Sequence, residues 1–349
     1  MNLWGGGGPR RMLSRARAWL VPPALVLMYH RIATPETDPW QLAVSPSHFS
    51  EHLAVIRRHG RPLLVRDLSR ALAAGRVSRR AIVVTFDDGY ADNFHEALPL
   101  LERHDVPGTL FVAAGYVGRP DGFWWDRLER LILTPAELPA TLRLEVRGRR
   151  HEYELDATTR PMRGDRETTA AWRAGTPAPT ERHELFLTLY RLLRPLSDLE
   201  RQRALADLTA WTGPAAPTGS TGDTLTVSQL QTLARRPLVE IGAHTLTHPQ
   251  LSTLVPADQG AEIRGSRVAL EELTGAPVVS FAYPYGGRSD YTPETVQLVR
   301  DAGFSGAYGS FPGAVTRTTA RFEVPRCHVE DCDGDGLARR LATWSTAWA

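Results

Sequence analysis

Short apolar runs of strand length alternate with segments whose apolar residues fall at helical spacing along most of this chain. Residues 24–29 (ALVLMY), 82–86 (IVVTF), 108–113 (GTLFVA) and 238–241 (LVEI) are brief, uncharged or nearly so, and rich in β-branched or aromatic side chains, as buried strands are. Residues 278–287 (VVSFAYPYGG) repeat the arrangement of a strand closed by proline and glycine, and 305–308 and 323–329 read as late strands. Between these runs the spacing predicts helices over 49–59, 65–74 and 94–103, then 227–235 with Ser228 as its N-cap, 259–273 ended by Gly275, and 293–302 stopped by Gly303. Regular strand and helix alternation predicts a parallel α/β architecture.

The alternation breaks in the middle of the chain. Trp124 and Trp125 lead into a helical stretch over 126–133, residues 142–155 alternate as a hairpin with Gly148 at its turn, and 182–193 and 199–212 are amphipathic helices. A Pro, Gly, Ser and Thr linker follows at 213–224. Residues 134–222 therefore read as an insertion, either a lid or cleft wall or an ornament remote from any site.

Composition narrows the class without naming it. The 349 residues, 42% of them hydrophobic, can bury one large core or two modest ones. A formal charge of +2, with arginines spread along the chain, gives no dense basic tract for nucleic acid. Two cysteines, Cys327 and Cys332, do not make a disulfide framework. Residues 1–22 carry Arg10, Arg11, Arg15 and Arg17 ahead of an apolar run that Pro22 and Pro23 interrupt. That run is too short to span a bilayer and lacks a small-residue cleavage site, so the reading is a retained basic arm in weak contact with a membrane surface. It places the protein in the cytoplasm or at the inner-membrane surface, with secretion or a periplasmic location as the alternative. The expected domain is 23–340, with a tail from 341.

Chemistry enters where the strands stop. In TFDDG the strand gives way at Gly89, which sets Asp87 and Asp88 side by side at its end. Adjacent anions at such a place need a cation or a shared proton, unless they are simply a solvated turn. Downstream, in IGAHTLTHP, His244 and His248 stand four apart just after another strand, a spacing that lets both imidazoles face one side. Two His and one Asp would make a three-ligand metal site with a position left for water, at the end of the strands where parallel α/β folds keep their chemistry.

TFDDG, HTLTH and FAYPYG resemble, in order, the first three motifs of the NodB-type polysaccharide deacetylases, carbohydrate esterase family 4, over most of residues 24–329. The resemblance implies a distorted (β/α)7-type barrel with a largely helical insertion, and removal of acetyl groups from an N-acetylated polysaccharide or glycan precursor. It implies a divalent metal, zinc first and cobalt, nickel or manganese as alternatives, held by Asp88, His244 and His248. Asp87 would then be the base, and the Tyr285 backbone N–H, presented by Pro284, would meet the oxyanion. The family's third motif usually begins with an arginine that orients the base; here Ala282 and Tyr283 stand there, and Arg326 is the candidate replacement. For the acid, MYHRI is similar to the version found in bacterial poly-N-acetylglucosamine deacetylases and offers His30, while RCHV offers His328. Trp124, Trp125 and Tyr291 are candidates for stacking against sugar rings. A catalytically silent carbohydrate-binding protein on the same fold and a small-molecule amide hydrolase are the competing readings.

Overall fold

The computed structural model describes residues 23–156, 166–213 and 223–347. The N-terminal arm and most of the 213–224 linker lie outside them. Strand β1 (Leu25–Tyr29) runs into the two-residue β2 (Arg31–Ile32), which pairs with β3 (Ala43–Val44). Helix α1 (Pro46–His59), β4 (Arg61–Leu63), α2 (Val65–Ala73) and β5 (Ala81–Phe86) follow. A π-turn at Asn93–Ala97 winds into α3 (Leu98–His104), after which comes β6 (Gly108–Val112).

The central section holds α4 (Trp124–Leu133), the hairpin β7 (Thr141–Val146) and β8 (Arg149–Glu154), then α5 (Arg166–Ala171), α6 (Glu181–Leu193) and α7 (Asp198–Thr212). Alternation resumes with α8 (Val227–Ala234), β9 (Val239–Ala243), α9 (Pro256–Thr274), β10 (Ser280–Ala282), α10 (Pro293–Asp301) and β11 (Gly306–Tyr308). The two-residue β12 (Cys327–His328) and α11 (Gly334–Ala347) end the fold.

The principal sheet is parallel throughout, in the order β11-β10-β9-β6-β5-β1-β12, with β4 also paired to β5. The segment before β12 bends back to β11, where Val324 pairs with Tyr308, so the sheet curls into a distorted (β/α)7-type barrel. Side chains of one parity fill the interior: Val26, Val83, Phe111, Ala282, Tyr308 and Val324 pack there. The opposite parity, such as Leu25, Leu27, Val84 and Phe86, faces the helices and joins Phe49, Leu53, Leu101 and Ile263 in the main core. Continuing the inward parity along each strand leads from Val26 to His30, from Val83 to Asp87 and from Val324 through Arg326 to His328. Strand pleat alone thus delivers these groups to one mouth.

Several boundaries differ from expectation. Thr226, not Ser228, caps α8, because its hydroxyl accepts from the Gln229 N–H while the Gln229 side chain accepts from the Thr226 N–H. The late strand contracts from 323–329 to β12, since residues 324 and 326 bond to β11 and its following loop instead. Helix α11, packed on α1 through buried Leu337 and Leu341, crosses the boundary set at 340, so no separate tail begins there. Both cysteines are free. Among the described residues no helix is long and apolar enough to cross a membrane.

The insertion has its own core, in which Leu128, Phe186, Leu189, Leu193, Leu205 and Leu208 close around Trp124. It lies against the barrel mouth rather than away from it. Where the chain returns, Thr224 pairs with Tyr90 and the Leu225 N–H donates to Gly89, so the re-entry point is stitched to the loop that carries both aspartates.

Candidate active site

The mouth of the barrel opens into a cleft of about 370 Å³ lined by residues from both regions. Strand ends contribute Met28, His30, Asp87, Asp88, His244, Tyr285 and His328, and Trp40, Trp125 and Tyr190 enclose the other side. Backbone strain gathers here. Of the eight non-glycine residues with positive φ among those described, Asp88, Thr245, His248 and Tyr285 surround this cleft, in the left-handed region that costs an ordinary side chain of order 1–3 kcal/mol.

The two aspartates have opposite surroundings. Asp87 is bound through both oxygens by Arg326, Nη1 to Oδ1 at 2.6 Å and Nη2 to Oδ2 at 2.7 Å. Arg326 is itself buried, donates from Nε to the Gly309 carbonyl at 2.8 Å, and lies over the Phe111 ring. It is therefore an interior residue, not a surface arginine. Burial pushes the Asp87 carboxyl up, but the charge and hydrogen bonds of Arg326, together with the nearby His244 and His30, outweigh it and hold Asp87 below the usual carboxylate range.

Asp88 has no such partner, and its buried Oδ1 accepts no hydrogen bond. That oxygen faces Nε2 of His244 at 3.5 Å and Nε2 of His248 at 3.3 Å. Nδ1 of His244 lies 2.8 Å from the Ala282 carbonyl, which can only accept, so Nδ1 carries the proton and Nε2 turns a lone pair inward. Burial, then the nearby Asp87 charge, drives the Asp88 carboxyl well up, while burial lowers both imidazoles. One oxygen of a buried acid and two imidazoles that burial keeps neutral converge here, a donor set that suits a divalent cation. The three donor atoms lie within 4.8 Å of one another. The residues present thus fit the metal that the motifs imply.

His30 and His328 meet edge to face at 5.7 Å, each with one buried ring nitrogen lacking a partner, Nδ1 of His30 and Nε2 of His328. Burial lowers His30 to about 3 against the pull of Asp87; burial also lowers His328, where Glu330 and Asp38 are the leading charges. The His30 carbonyl accepts from the Asn93 side chain, which fixes the turn out of β1. At Tyr285 the backbone N–H donates no hydrogen bond among the described residues, and the ring packs against His248 at 4.8 Å.

Of the candidate sugar-stacking residues, Trp125 lines the cleft beside His248 at 4.7 Å. Two others do not reach it. Trp124 is buried in the insertion core against Tyr190, and Tyr291 stacks on Tyr283 at 4.0 Å with its hydroxyl toward Glu323. Pro284 is buried and does not line the cleft. Sequence reasoning missed Trp40, in the turn between β2 and β3, and Tyr190 of α6, whose rings meet at 4.1 Å, since nothing local separates an aromatic residue facing a cleft from one facing a core. It also missed Arg194 and Arg201, because a lone arginine in an amphipathic helix reads as solvated.

With this geometry established, comparison with known proteins is specific. The polysaccharide deacetylase family model matches residues 74–153 and 211–307, half of the chain. The chain belongs to the polysaccharide deacetylase family. Within curated proteins, this deacetylase-family chain is 30% identical over 95 residues to the YxkH protein of Bacillus subtilis, covering 27% of this chain and 33% of that one. It is 24% identical over 113 residues to the poly-β-1,6-N-acetyl-D-glucosamine N-deacetylase of Escherichia coli K12, covering 32% and 17%. The matched stretches thus span a third or less of those relatives. Among solved structures, the fold resembles the Streptococcus pyogenes deacetylase PplD, with a TM-score of 0.56 at 14% identity over 92% of this chain and 98% of that one. It resembles IcaB from Ammonifex degensii equally, with a TM-score of 0.56 at 18% identity over 93% and 97%.

Proposed function

We propose that this protein is a metal-dependent hydrolase that removes acetyl groups from an N-acetylated polysaccharide, with glycans of the poly-β-1,6-N-acetylglucosamine type as its first candidate substrate. The observation that carries the reading is the contrast between the two aspartates: Asp88 turns an unpaired oxygen toward Nε2 of His244 and Nε2 of His248, while Asp87, beside it, is held separately by Arg326. A binding module would have no need for that second, oriented acid. Family membership and the Escherichia coli relative support the substrate class.

Asp88, His244 and His248 would hold a divalent cation, zinc in the first instance, which would supply Lewis acidity toward an acyl carbonyl and lower the pKa of a water toward about 7. Asp87 stays anionic under Arg326 and accepts the proton of the attacking water. The Tyr285 N–H donates to the oxyanion, held in place by the strained turn after Pro284. His30, at the end of β1 and lining the cleft with Asp87, is the donor to the departing amine in this reading, as the MYHRI resemblance implies. His328 then packs against His30 and holds its ring.

Acetate release from a panel of N-acetylated and O-acetylated glycans, by protein reconstituted with zinc, cobalt, nickel or manganese, tests the proposal. Release from the N-acetylated members is expected. Asp87→Asn should lose a factor on the order of 10²–10⁴ in kcat while still binding metal. Equal release by the variant would remove Asp87 from the mechanism, and no release from any glycan would remove the activity.

A further inference from the structure

Residues 245–247 connect the two histidines, and the N–H groups of 246–248 and the carbonyls of 245–248 all find partners. The Leu246 and Thr247 N–H groups donate to Glu262 Oε2 of α9, at 2.8 and 2.9 Å, and the His248 N–H donates to Thr245 Oγ1. The Thr245 and Leu246 carbonyls accept from the Ala114 and Gly115 N–H groups at 3.0 and 2.8 Å. A Cβ at Gly115 would sit 2.8 Å from the Leu246 oxygen, so only glycine permits that approach. The last two carbonyls are left to one side chain. Arg201 of α7 donates from Nη2 to Thr247 O at 2.9 Å and from Nη1 to His248 O at 3.3 Å.

Arg201 is an unusual residue to find there. It is fully buried, lies over the Trp124 ring, and has no carboxylate partner among the described residues. A buried cation without a counter-ion is costly unless its donors are well used, and two peptide carbonyls are a modest return. The turn it holds is itself strained, with φ of 65° at Thr245 and 53° at His248. Freed of Arg201, the two carbonyls would be orphaned and the left-handed His248 would relax. The residue also lies in the stretch between the two segments matched by the family model.

We propose that Arg201 is a positioning residue for the metal centre: an insertion side chain that clamps the Thr247 and His248 carbonyls and so aims the His248 imidazole at the cation. This rests on the metal site proposed above. A second arginine of the same insertion does parallel work on the facing loop. Arg194, just beyond α6, pairs with Asp290 at 2.5 Å and lies over the Tyr285 ring at 4.2 Å.

The test is metal binding, not turnover. Arg201→Met keeps most of the stem against Trp124 and removes the donors, and Arg201→Lys keeps the charge but loses the planar fork that meets both carbonyls at once. With cobalt as the probe, titration calorimetry and the visible absorption of the bound ion are measured for the wild type, both variants and His248→Ala. The expected result is a Kd weakened about 10- to 100-fold in Arg201→Met, the range typical of losing a group that orients a ligand. An altered cobalt spectrum should accompany it, with partial recovery in Arg201→Lys. Wild-type affinity and spectrum in either folded variant would overturn the proposal. Failure of the wild type to bind cobalt, or unchanged binding by His248→Ala, would instead overturn the metal site on which it rests.

Discussion

The two walls of the cleft are built by different logic. On the barrel side, the groups that could do chemistry leave the ends of parallel strands: His30 after β1, Asp87 and Asp88 after β5, His244 and His248 after β9, and His328 in β12. On the insertion side, Tyr190 lines the cleft and Arg194 and Arg201 stand behind it, all from segments packed around a separate apolar core and none belonging to the Asp88, His244 and His248 cluster. The barrel wall sets what reaction is available, and the insertion wall sets how firmly it is held and what fits. Losses on the barrel wall should therefore stop turnover, whereas losses on the insertion wall should grade it.

Metal removal should produce the largest effect. Stripping the protein with a chelator is expected to abolish acetate release, and adding back zinc or cobalt should restore it. Because the cation would bind the folded chain, resupply at about 100 times its Kd should add about 2.7 kcal/mol of stability, read as a rise in the unfolding midpoint. Full activity after exhaustive chelation would leave the Asp88, His244 and His248 cluster without a role.

The buried ion pair gives the next largest effect. Arg326→Met leaves Asp87 buried without its cation, which should cost about 3–5 kcal/mol of stability, measurable by urea unfolding, and most of the activity as well. Adding Asp87→Asn to that variant should recover part of the stability but none of the activity. If Arg326→Met costs less than about 1 kcal/mol, the pair is not the anchor that its geometry makes it. Histidine replacements divide the same wall more finely. His30→Ala should lower kcat on the order of 10²-fold or more, and His328→Ala less than about 10-fold. The reverse order would make His328 the acid.

What the sequence made legible follows the same division. Strand runs, glycine stops and three ordered motifs led to the barrel, to Asp87 and Asp88 at one strand end and to His244 and His248 at another, because pleat and turn chemistry are local properties. Arg326 could be named as a candidate for the missing arginine, but nothing local told that its segment bonds to β11 before reaching β1, which turns the side chain inward onto Asp87. Trp124, Trp125 and Tyr291 looked alike as aromatic candidates; only packing distinguishes Trp125 at the cleft from Trp124 and Tyr291 in cores. The insertion's arginines were the least legible, since a buried, unpaired Arg201 and a solvated helix arginine have the same sequence signature.

The smallest effect separates the two walls most cleanly. Tyr190 of α6 lines the cleft, tilted against Trp40 at 4.1 Å and stacked on Trp124 at 5.1 Å, and among the described residues no hydrogen bond or ring contact joins it to the groups assigned to bond-breaking. An aromatic face there can hold a sugar ring equally well before and during reaction, which is uniform binding. Losing a contact of about 0.5–1.5 kcal/mol corresponds to a factor of about 2–10 in affinity. Tyr190→Ala should therefore raise KM by that factor and leave kcat nearly unchanged, with Tyr190→Phe close to wild type in both. A fall in kcat at constant KM would place Tyr190 with the barrel wall and erase the distinction between chemistry and grip on which this comparison of the two walls depends.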